Sequence, residues 1–254
     1  MLWSRQCFIR AAVVGTILLC RPDLSGARQQ SQSATPRPSP AASASPSPTP
    51  GAAEKSAQPE LLVIIDPSHG GDDKGLVFAP HVFEKDLTLS VARLLRKELQ
   101  DRGIAAHLLR DSDFSIPLER RAELCNQQRP SLYIAVHAGE PGKGVRVYTP
   151  ILPAAQQSVN GFLPWEAAQA PVLKSSNAIA GAVTRELKKK DIKALDMKAF
   201  LRPLNNIVAP AIAVELAADR SDPHSLESAR LQTAVATAVA SGIAQARNQL
   251  GARK

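Results

Sequence analysis

The chain has 254 residues, of which 44% are hydrophobic and 21% are charged; this is enough for one full domain with extensions and excludes wholesale disorder and a polytopic membrane protein. The formal net charge is +8, but six basic and two acidic residues precede Glu60, which leaves 25 basic and 21 acidic residues for the rest. Aromatic residues make up only 4% and no basic stripe is interleaved with them, so we expect no nucleic-acid partner.

The first 27 residues have the pattern of an export signal. Two arginines accompany the apolar run Ala11–Cys20, which is shorter than the ~20 residues that a membrane-spanning helix needs. Ser25, Gly26 and Ala27 are small residues of the kind that a signal peptidase reads, so we expect cleavage before Arg28. The alternative is an uncleaved segment that anchors the protein transiently to the membrane. Both interpretations predict an exported protein of the periplasm or cell envelope.

A linker is predicted for residues 28–59. This stretch contains no Val, Ile, Leu, Met or aromatic residue and is rich in Pro, Ser and Ala, so it buries too little apolar surface to offset the entropy of ordering. It reads as a disordered, semi-extended tether that either spans a periplasmic or wall space or acts only as a solubilising spacer. The folded domain is therefore predicted for residues 60–254.

Strand and helix patterns alternate along this domain. The strands are short β-branched apolar runs, and the helices carry apolar residues at helical spacing. The predicted strands are Leu61–Asp66, Ala105–Leu109, Ser131–Val136, Gly144–Tyr148 and Ala211–Leu216, and the predicted helices are Glu84–Arg102, Pro117–Gln128, Val172–Lys190 and Pro223–Asn248, the last with Asp222 as its N-cap. This alternation predicts a single α/β domain with a mainly parallel twisted sheet flanked by helices on both faces.

Polar side chains occur where this architecture places a ligand site. His69 follows the first strand, His137 directly follows the third strand, and Glu215 lies at the end of the strand AIAVEL. Because the carboxyl ends of parallel strands meet at one edge of a sheet, we expect these residues to converge, and Glu84 in the first turn of a helix faces the same crevice. Two imidazoles and a carboxylate hold three corners of a zinc ion and leave the fourth for water. Each residue alone would more often be structural.

Four segments of the domain resemble, in order and spacing, the zinc-dependent N-acetylmuramoyl-L-alanine amidases of the type 3 family: IIDPSHGG, FEKDLTLSVARLLRKELQDRG, LLRDSDFSIPLERRAELCNQQRPSLYIAVHAG and APAIAVEL. The resemblance spans residues 61–249. It implies that His69, Glu84 and His137 bind Zn²⁺ and that Glu215 is catalytic. It also implies peptidoglycan as the substrate, cut at the amide between the lactyl group of muramic acid and L-alanine during wall remodelling or septal cleavage.

The sequence departs from the family pattern in three places. Ser68 stands where the family usually has Gly, Gly139–Glu140 replaces Asn-Ala after the second His, and Ala217–Ala218 replaces Gly-Phe after the catalytic Glu. None of these changes removes a metal ligand, so they bear on the substrate-side contacts and the loop shapes. The match also covers Arg110, Asp113 and either Arg120 or Arg121.

Three alternatives use the same residues. A structural zinc would take Glu215 as its fourth ligand and leave no open position. A catalytically silent peptidoglycan-binding or regulatory domain would keep the fold without turnover, and a peptidase would apply the same chemistry to another amide. The resemblance leaves open the need for an activator protein. The segment Pro150–Pro171 is too short and proline-rich for a long blocking helix, which favours an open site.

Other polar residues near the motifs receive ordinary interpretations. His81 lies three residues before Glu84 and is interpreted as an exposed loop histidine. Cys125 is interpreted as a small core residue, since no neighbouring basic group in the sequence marks it as a nucleophile. Asp72 and Asp73 are interpreted as ordinary residues of a glycine turn.

Overall fold

A computed structural model describes residues 61–139, 142–152, 164–219 and 221–250. The predicted signal segment and linker lie outside the described residues, as do residues 153–163 of the predicted loop, so the domain boundaries remain predictions. Within the described part of the chain, no helix combines the length and the apolar character needed to cross a membrane.

The predicted alternation of strands and helices is confirmed in the described residues. The strands are β1 (Leu62–Pro67), β2 (Val77–Ala79), β3 (Val82–Phe83), β4 (Ala105–Leu108), β5 (Leu132–Gly139), β6 (Gly144–Pro150), β7 (Ala194–Ala199) and β8 (Ala211–Ala217). The α-helices are α1 (Glu84–Gln100), α2 (Leu118–Gln127), α3 (Leu173–Lys189), α4 (Ala229–Gln245) and the short α5 (Arg247–Leu250).

Six of these strands form one sheet in the order β4-β1-β5-β8-β6-β7. The strands β4, β1, β5 and β8 run parallel. Strand β6 is antiparallel to β8, and β7 is parallel to β6. The sheet is therefore mainly parallel, as predicted, and the carboxyl ends of β1, β5 and β8 lie side by side at one edge.

Helices cover both faces of the sheet. Alternate side chains of a strand point to opposite faces, so Val63 and Ile65 of β1 join a buried cluster with α1, α3 and α4. On the other face, Ile64 packs in a smaller cluster with Cys125 of α2 and with Leu204. The predicted architecture, a mainly parallel sheet with helices on both faces, is confirmed.

Strand β7 and the β2–β3 hairpin were not predicted from the sequence. Four of the six residues of β7 are exposed, because it is an edge strand whose faces are little covered, and such a strand has no continuous apolar run. Strands β2 and β3 have only three and two residues, which is too short for a periodicity to show.

Two predicted boundaries are wrong. His137 lies inside β5, not after it, because the ladder between β5 and β8 continues to Gly139. The last helix does not begin after an Asp222 cap: Pro223–Glu227 forms a 3₁₀ helix, and α4 begins after Ser228, whose side chain accepts a hydrogen bond from the Leu231 N–H. Ser228 is the N-cap of α4 because its hydroxyl accepts a hydrogen bond from an N–H of the first turn that has no partner within the helix.

A buried ion pair supports the chain that leaves β1. Arg121 of α2 donates to the Asp66 carboxylate, which also accepts from the Tyr133 hydroxyl at 2.6 Å. Burial raises the pKa of Asp66 even though Arg121 and Tyr133 act in the opposite direction. The same guanidinium donates to the carbonyls of Pro67 at 3.1 Å and His69 at 2.8 Å, so it fixes the backbone at His69.

We expect Arg121→Met to destabilise the domain by about 3–5 kcal/mol, because it leaves the Asp66 carboxylate buried without its cation. Arg120→Met is the matched control: Arg120 is the preceding residue of α2 and pairs with Glu123 on the surface, so its loss should change stability by less than about 1 kcal/mol. Urea unfolding of the two variants measures both effects, and equal stabilities would contradict the supporting role of Arg121.

Candidate metal centre

His69 is held in a tight loop at the carboxyl end of β1. Its backbone is left-handed, with φ of 63°, and its carbonyl is fixed by Arg121. A second buried arginine, Arg110, donates to the carbonyls of Pro67 and Ser68 at 3.0 Å each. Two guanidinium groups therefore satisfy the carbonyls of this strained segment, which orients the His69 ring toward the sheet edge.

Glu84 is the first residue of α1 and is buried. Its backbone N–H donates to the Leu76 carbonyl at 2.9 Å, and its Oε2 accepts the Leu76 N–H at 3.0 Å. Gly75 passes so close that a Cβ there would lie 2.7 Å from Oε2 of Glu84. The two residues that lead into β2, Gly75 and Leu76, therefore fix the Glu84 carboxylate.

The structure brings His69, Glu84 and His137 together. Oε2 of Glu84 lies 3.1 Å from Nε2 of His69, and Oε1 lies 3.2 Å from Nδ1 of His137. One ligand atom from each of the three side chains lies within 4.8 Å of the others. The two imidazole rings stand edge to face with centroids 6.1 Å apart, so they converge on the carboxylate from different directions.

This donor set fits a zinc ion. Zinc binds imidazole nitrogen and carboxylate oxygen at about 2.0–2.2 Å, which places two ligand atoms of a tetrahedral ion roughly 3.4 Å apart. The separations of 3.1 and 3.2 Å between Glu84 and the two imidazoles are close to that value. Among the described residues, the group has three members and does not include Glu215, which suits a site with an open fourth corner.

The charges of the group favour a cation. Burial alone would raise the pKa of Glu84, but hydrogen bonds from His137 and His69 outweigh burial and hold it well below its usual range. The hydrogen bond to Glu84 raises the pKa of His69 against the opposing effect of burial. Glu84 is therefore an ionised, buried carboxylate that attracts positive charge, and a metal ion would replace protons in this role.

Both imidazoles have a partner on the ring nitrogen that points away from Glu84. Nδ1 of His69 donates to Oδ2 of Asp73 at 2.9 Å, and Nε2 of His137 lies 2.9 Å from the Ser68 hydroxyl. Such partners fix the ring orientation and the tautomer of metal-binding histidines. From the sequence, Asp73 was interpreted as an ordinary turn residue and Ser68 only as a departure from the family pattern. Asp73 lies four residues from His69 and Ser68 lies 69 residues from His137, and neither spacing indicated a contact.

Glu215 lies beside His137 in the sheet. The two residues are direct partners in the parallel ladder between β5 and β8, so their side chains emerge on the same face. The Glu215 carboxylate accepts hydrogen bonds from Arg146 of the neighbouring strand β6. The structure thus places Glu215 next to the ligand group but outside it.

The remaining polar residues stay out of the site. His81 is exposed. Cys125 is buried, and burial raises the pKa of its thiol to about 12, so it is not a thiolate at neutral pH.

The protein is thus of the class of α/β proteins in which two imidazoles and a carboxylate converge at the carboxyl edge of the sheet. The chain belongs to the type 3 family of N-acetylmuramoyl-L-alanine amidases, since the family model with that description matches residues 63–245.

Individual relatives agree with the family assignment. The chain is 35% identical over 79 residues to the N-acetylmuramoyl-L-alanine amidase AmiC of Escherichia coli, a match that covers 31% of this chain and 19% of that protein. It is 29% identical over 140 residues to AmiC of Neisseria meningitidis, covering 54% of this chain and 32% of the relative. The matches thus span a third or less of these two proteins.

Among solved structures, the domain is similar to the N-acetylmuramoyl-L-alanine amidase AmiC2 of Nostoc punctiforme. The superposition has a TM-score of 0.60 at 27% identity and covers 74% of this chain and 98% of that chain. The shared fold therefore extends over nearly the whole of that structure.

If the group binds zinc, His69→Ala should reduce the zinc content of the untagged protein from about one ion per chain to a small fraction, because a three-ligand site loses one donor. His81→Ala is the control, since His81 is an exposed histidine that, like His69, precedes α1 in the sequence. Elemental analysis after dialysis against excess zinc measures both. Equal zinc contents would contradict the assignment of His69.

We expect Asp73→Ala to weaken zinc binding about tenfold, the lower end of the 10–100-fold range for partners of metal-binding histidines, because the Asp73 side chain is 59% exposed. Asp72→Ala, one residue earlier and also exposed, serves as the matched control. Competition with a chromogenic chelator gives the two affinities, and a loss that is the same for both variants would show that Asp73 does not orient His69.

Proposed function

We propose that this chain is a zinc-dependent hydrolase that cuts the amide between N-acetylmuramic acid and L-alanine in peptidoglycan. The family membership supports the reaction class. The observation that carries the proposal is the arrangement of three side chains around one point, His69, Glu84 and His137, with the separate carboxylate of Glu215 on the adjacent strand. Three ligands with an acid beside them are typical of catalytic zinc sites.

Each residue has a distinct task in this proposal. His69, Glu84 and His137 hold the ion, which when bound supplies Lewis-acid activation of water and of the scissile carbonyl. Glu215 accepts the proton of the attacking water and passes it to the nitrogen of the departing L-alanine. The C–N bond of the amide breaks, the carbonyl carbon becomes the lactyl carboxylate, and the amine leaves with the transferred proton.

The N-terminal segments suggest where the reaction takes place. The predicted signal and the proline-rich linker would export the domain and let it reach peptidoglycan from the membrane side, with the uncleaved anchor as the alternative. We place the protein in the periplasm or cell envelope, where it would act in wall remodelling or septal cleavage. The need for an activator protein stays open in this proposal.

Glu215→Gln should keep about one zinc per chain but lower the turnover of purified peptidoglycan by about 10²–10⁴-fold, because the amide no longer accepts a proton. Glu227→Gln is the control, since Glu227 is half exposed and hydrogen-bonds to His224 away from the ligand group. Release of stem peptides, followed by mass spectrometry, measures the rate and the product.

The products separate the alternatives. An amidase leaves a free amino terminus on L-alanine and an intact lactyl carboxylate on muramic acid, whereas a peptidase leaves L-alanine attached to muramic acid. A wild-type protein that binds zinc and peptidoglycan without releasing peptide would be the silent wall-binding domain. Near-normal turnover by Glu215→Gln would show that the proton acceptor is a different group.

A further inference from the structure

Three charged or polar residues form a row across the sheet. His137 of β5 pairs with Glu215 of β8, and Glu215 pairs in turn with Arg146 of the antiparallel strand β6. Directly paired residues of neighbouring strands project to the same face. The row therefore runs from the ligand group through Glu215 to a cation that no sequence motif had indicated.

Arg146 donates two hydrogen bonds to one oxygen of the Glu215 carboxylate. Its Nε donates to Oε1 at 3.0 Å, and its Nη2 donates to the same oxygen. Both side chains are only 18% exposed. A planar guanidinium that donates twice fixes the direction as well as the distance of its acceptor. The Glu215 carboxylate thus has one defined orientation.

Tyr148 lies two residues further along β6, on the same face as Arg146. Burial raises the pKa of its hydroxyl, and the charge of the Glu215 carboxylate raises this pKa further. Arg146 and Tyr148 therefore project from β6 on the face of the sheet that carries Glu215.

Gly139 provides the space that this orientation needs. A Cβ at Gly139 would lie 2.1 Å from Oε1 and 2.7 Å from Cδ of Glu215, closer than non-bonded atoms approach. The carboxylate therefore occupies the volume that any larger residue at position 139 would fill. Gly139 is one of the positions at which the chain departs from the family pattern, and it lies next to the Glu215 carboxylate.

A second ion pair near the ends of β6 and β8 shows how the pair of Arg146 and Glu215 differs from an exposed surface pair. Lys143 precedes β6 and pairs with Asp219 after β8 at 2.6 Å, with the Lys143 side chain 75% exposed. Such an exposed pair contributes little stability and fixes little geometry. Arg146 and Glu215, by contrast, are largely enclosed, and Glu215 lies on the strand next to that of His137.

We propose that Arg146, with the space left by Gly139, positions the Glu215 carboxylate for proton transfer beside the ligand group. The inference rests on the proposed function, because it needs Glu215 to be the proton acceptor. Arg146 is a positioning residue in this scheme: it acts through Glu215 and does not take the proton itself.

The test measures kcat and KM of the full chain on a soluble muropeptide, together with zinc content and melting temperature. Arg146→Gln should lower kcat about 10- to 100-fold, the effect expected when a reacting group is misplaced by about 1 Å, with KM within about twofold and zinc content unchanged. Arg146→Lys, which keeps the charge, should recover part of kcat. Lys143→Gln, which removes the neighbouring exposed pair, should leave kcat unchanged.

Gly139→Ala tests the same inference without touching the cation. It should lower kcat to a similar extent, because the added methyl group displaces the carboxylate, and the series of Arg146 variants decides the matter if this variant does not fold. The inference is overturned if Arg146→Gln keeps kcat within twofold of wild type or raises it while Glu215→Gln is inactive. Turnover by Glu215→Gln would overturn the proton acceptor itself, and with it the proposed mechanism.

Discussion

The candidate site depends on one interaction, the contact of the buried Glu84 carboxylate with two imidazoles. Glu84 stays ionised although it is buried, because His69 and His137 each hydrogen-bond to one of its oxygens and the backbone N–H groups of Leu76 and Ala138 add two more bonds. It also opens α1, where the positive end of the helix dipole favours a negative charge. Through this carboxylate the β1 loop, the hairpin, α1 and β5 are joined at one point. Losing it would leave the two imidazoles without a common partner.

Much of the fold and the convergence of four polar candidates could be predicted from local sequence patterns, whereas the family resemblance supplied the division into three ligands and a separate Glu215. Short β-branched runs define β1, β5 and β8, and polar residues at or near their carboxyl ends must meet in a parallel sheet. The contacts that orient the site could not be predicted, since they join residues far apart in the chain: Ser68 with His137 and Arg146 with Glu215. The latter pair exists only because β6 runs antiparallel beside β8, and a single short strand pattern does not reveal direction. The edge strand β7 could not be predicted because most of its residues are exposed and it therefore has no apolar run.

Two of the three departures from the family pattern have a structural explanation in these contacts. Ser68 is small enough to follow Pro67 in the tight loop and supplies a hydroxyl to the far nitrogen of His137. Gly139 removes the side chain that would collide with Glu215. Both changes therefore lie beside the site without adding or removing a member of the ligand group.

In the proposed zinc site, the Glu215 carboxylate beside the three ligands has two competing uses. If it were free to turn, it would become a fourth ligand and close the site, as in structural zinc centres. Arg146 opposes that outcome, because moving the Glu215 carboxylate toward the ligand group would break two charge-assisted hydrogen bonds in a poorly solvated position. The same bonds hold the carboxylate on the strand next to His137, whose direct ladder partner is Glu215. In the proposed mechanism, the ion pair between β6 and β8 therefore keeps the proton acceptor Glu215 apart from the three side chains proposed to hold the metal.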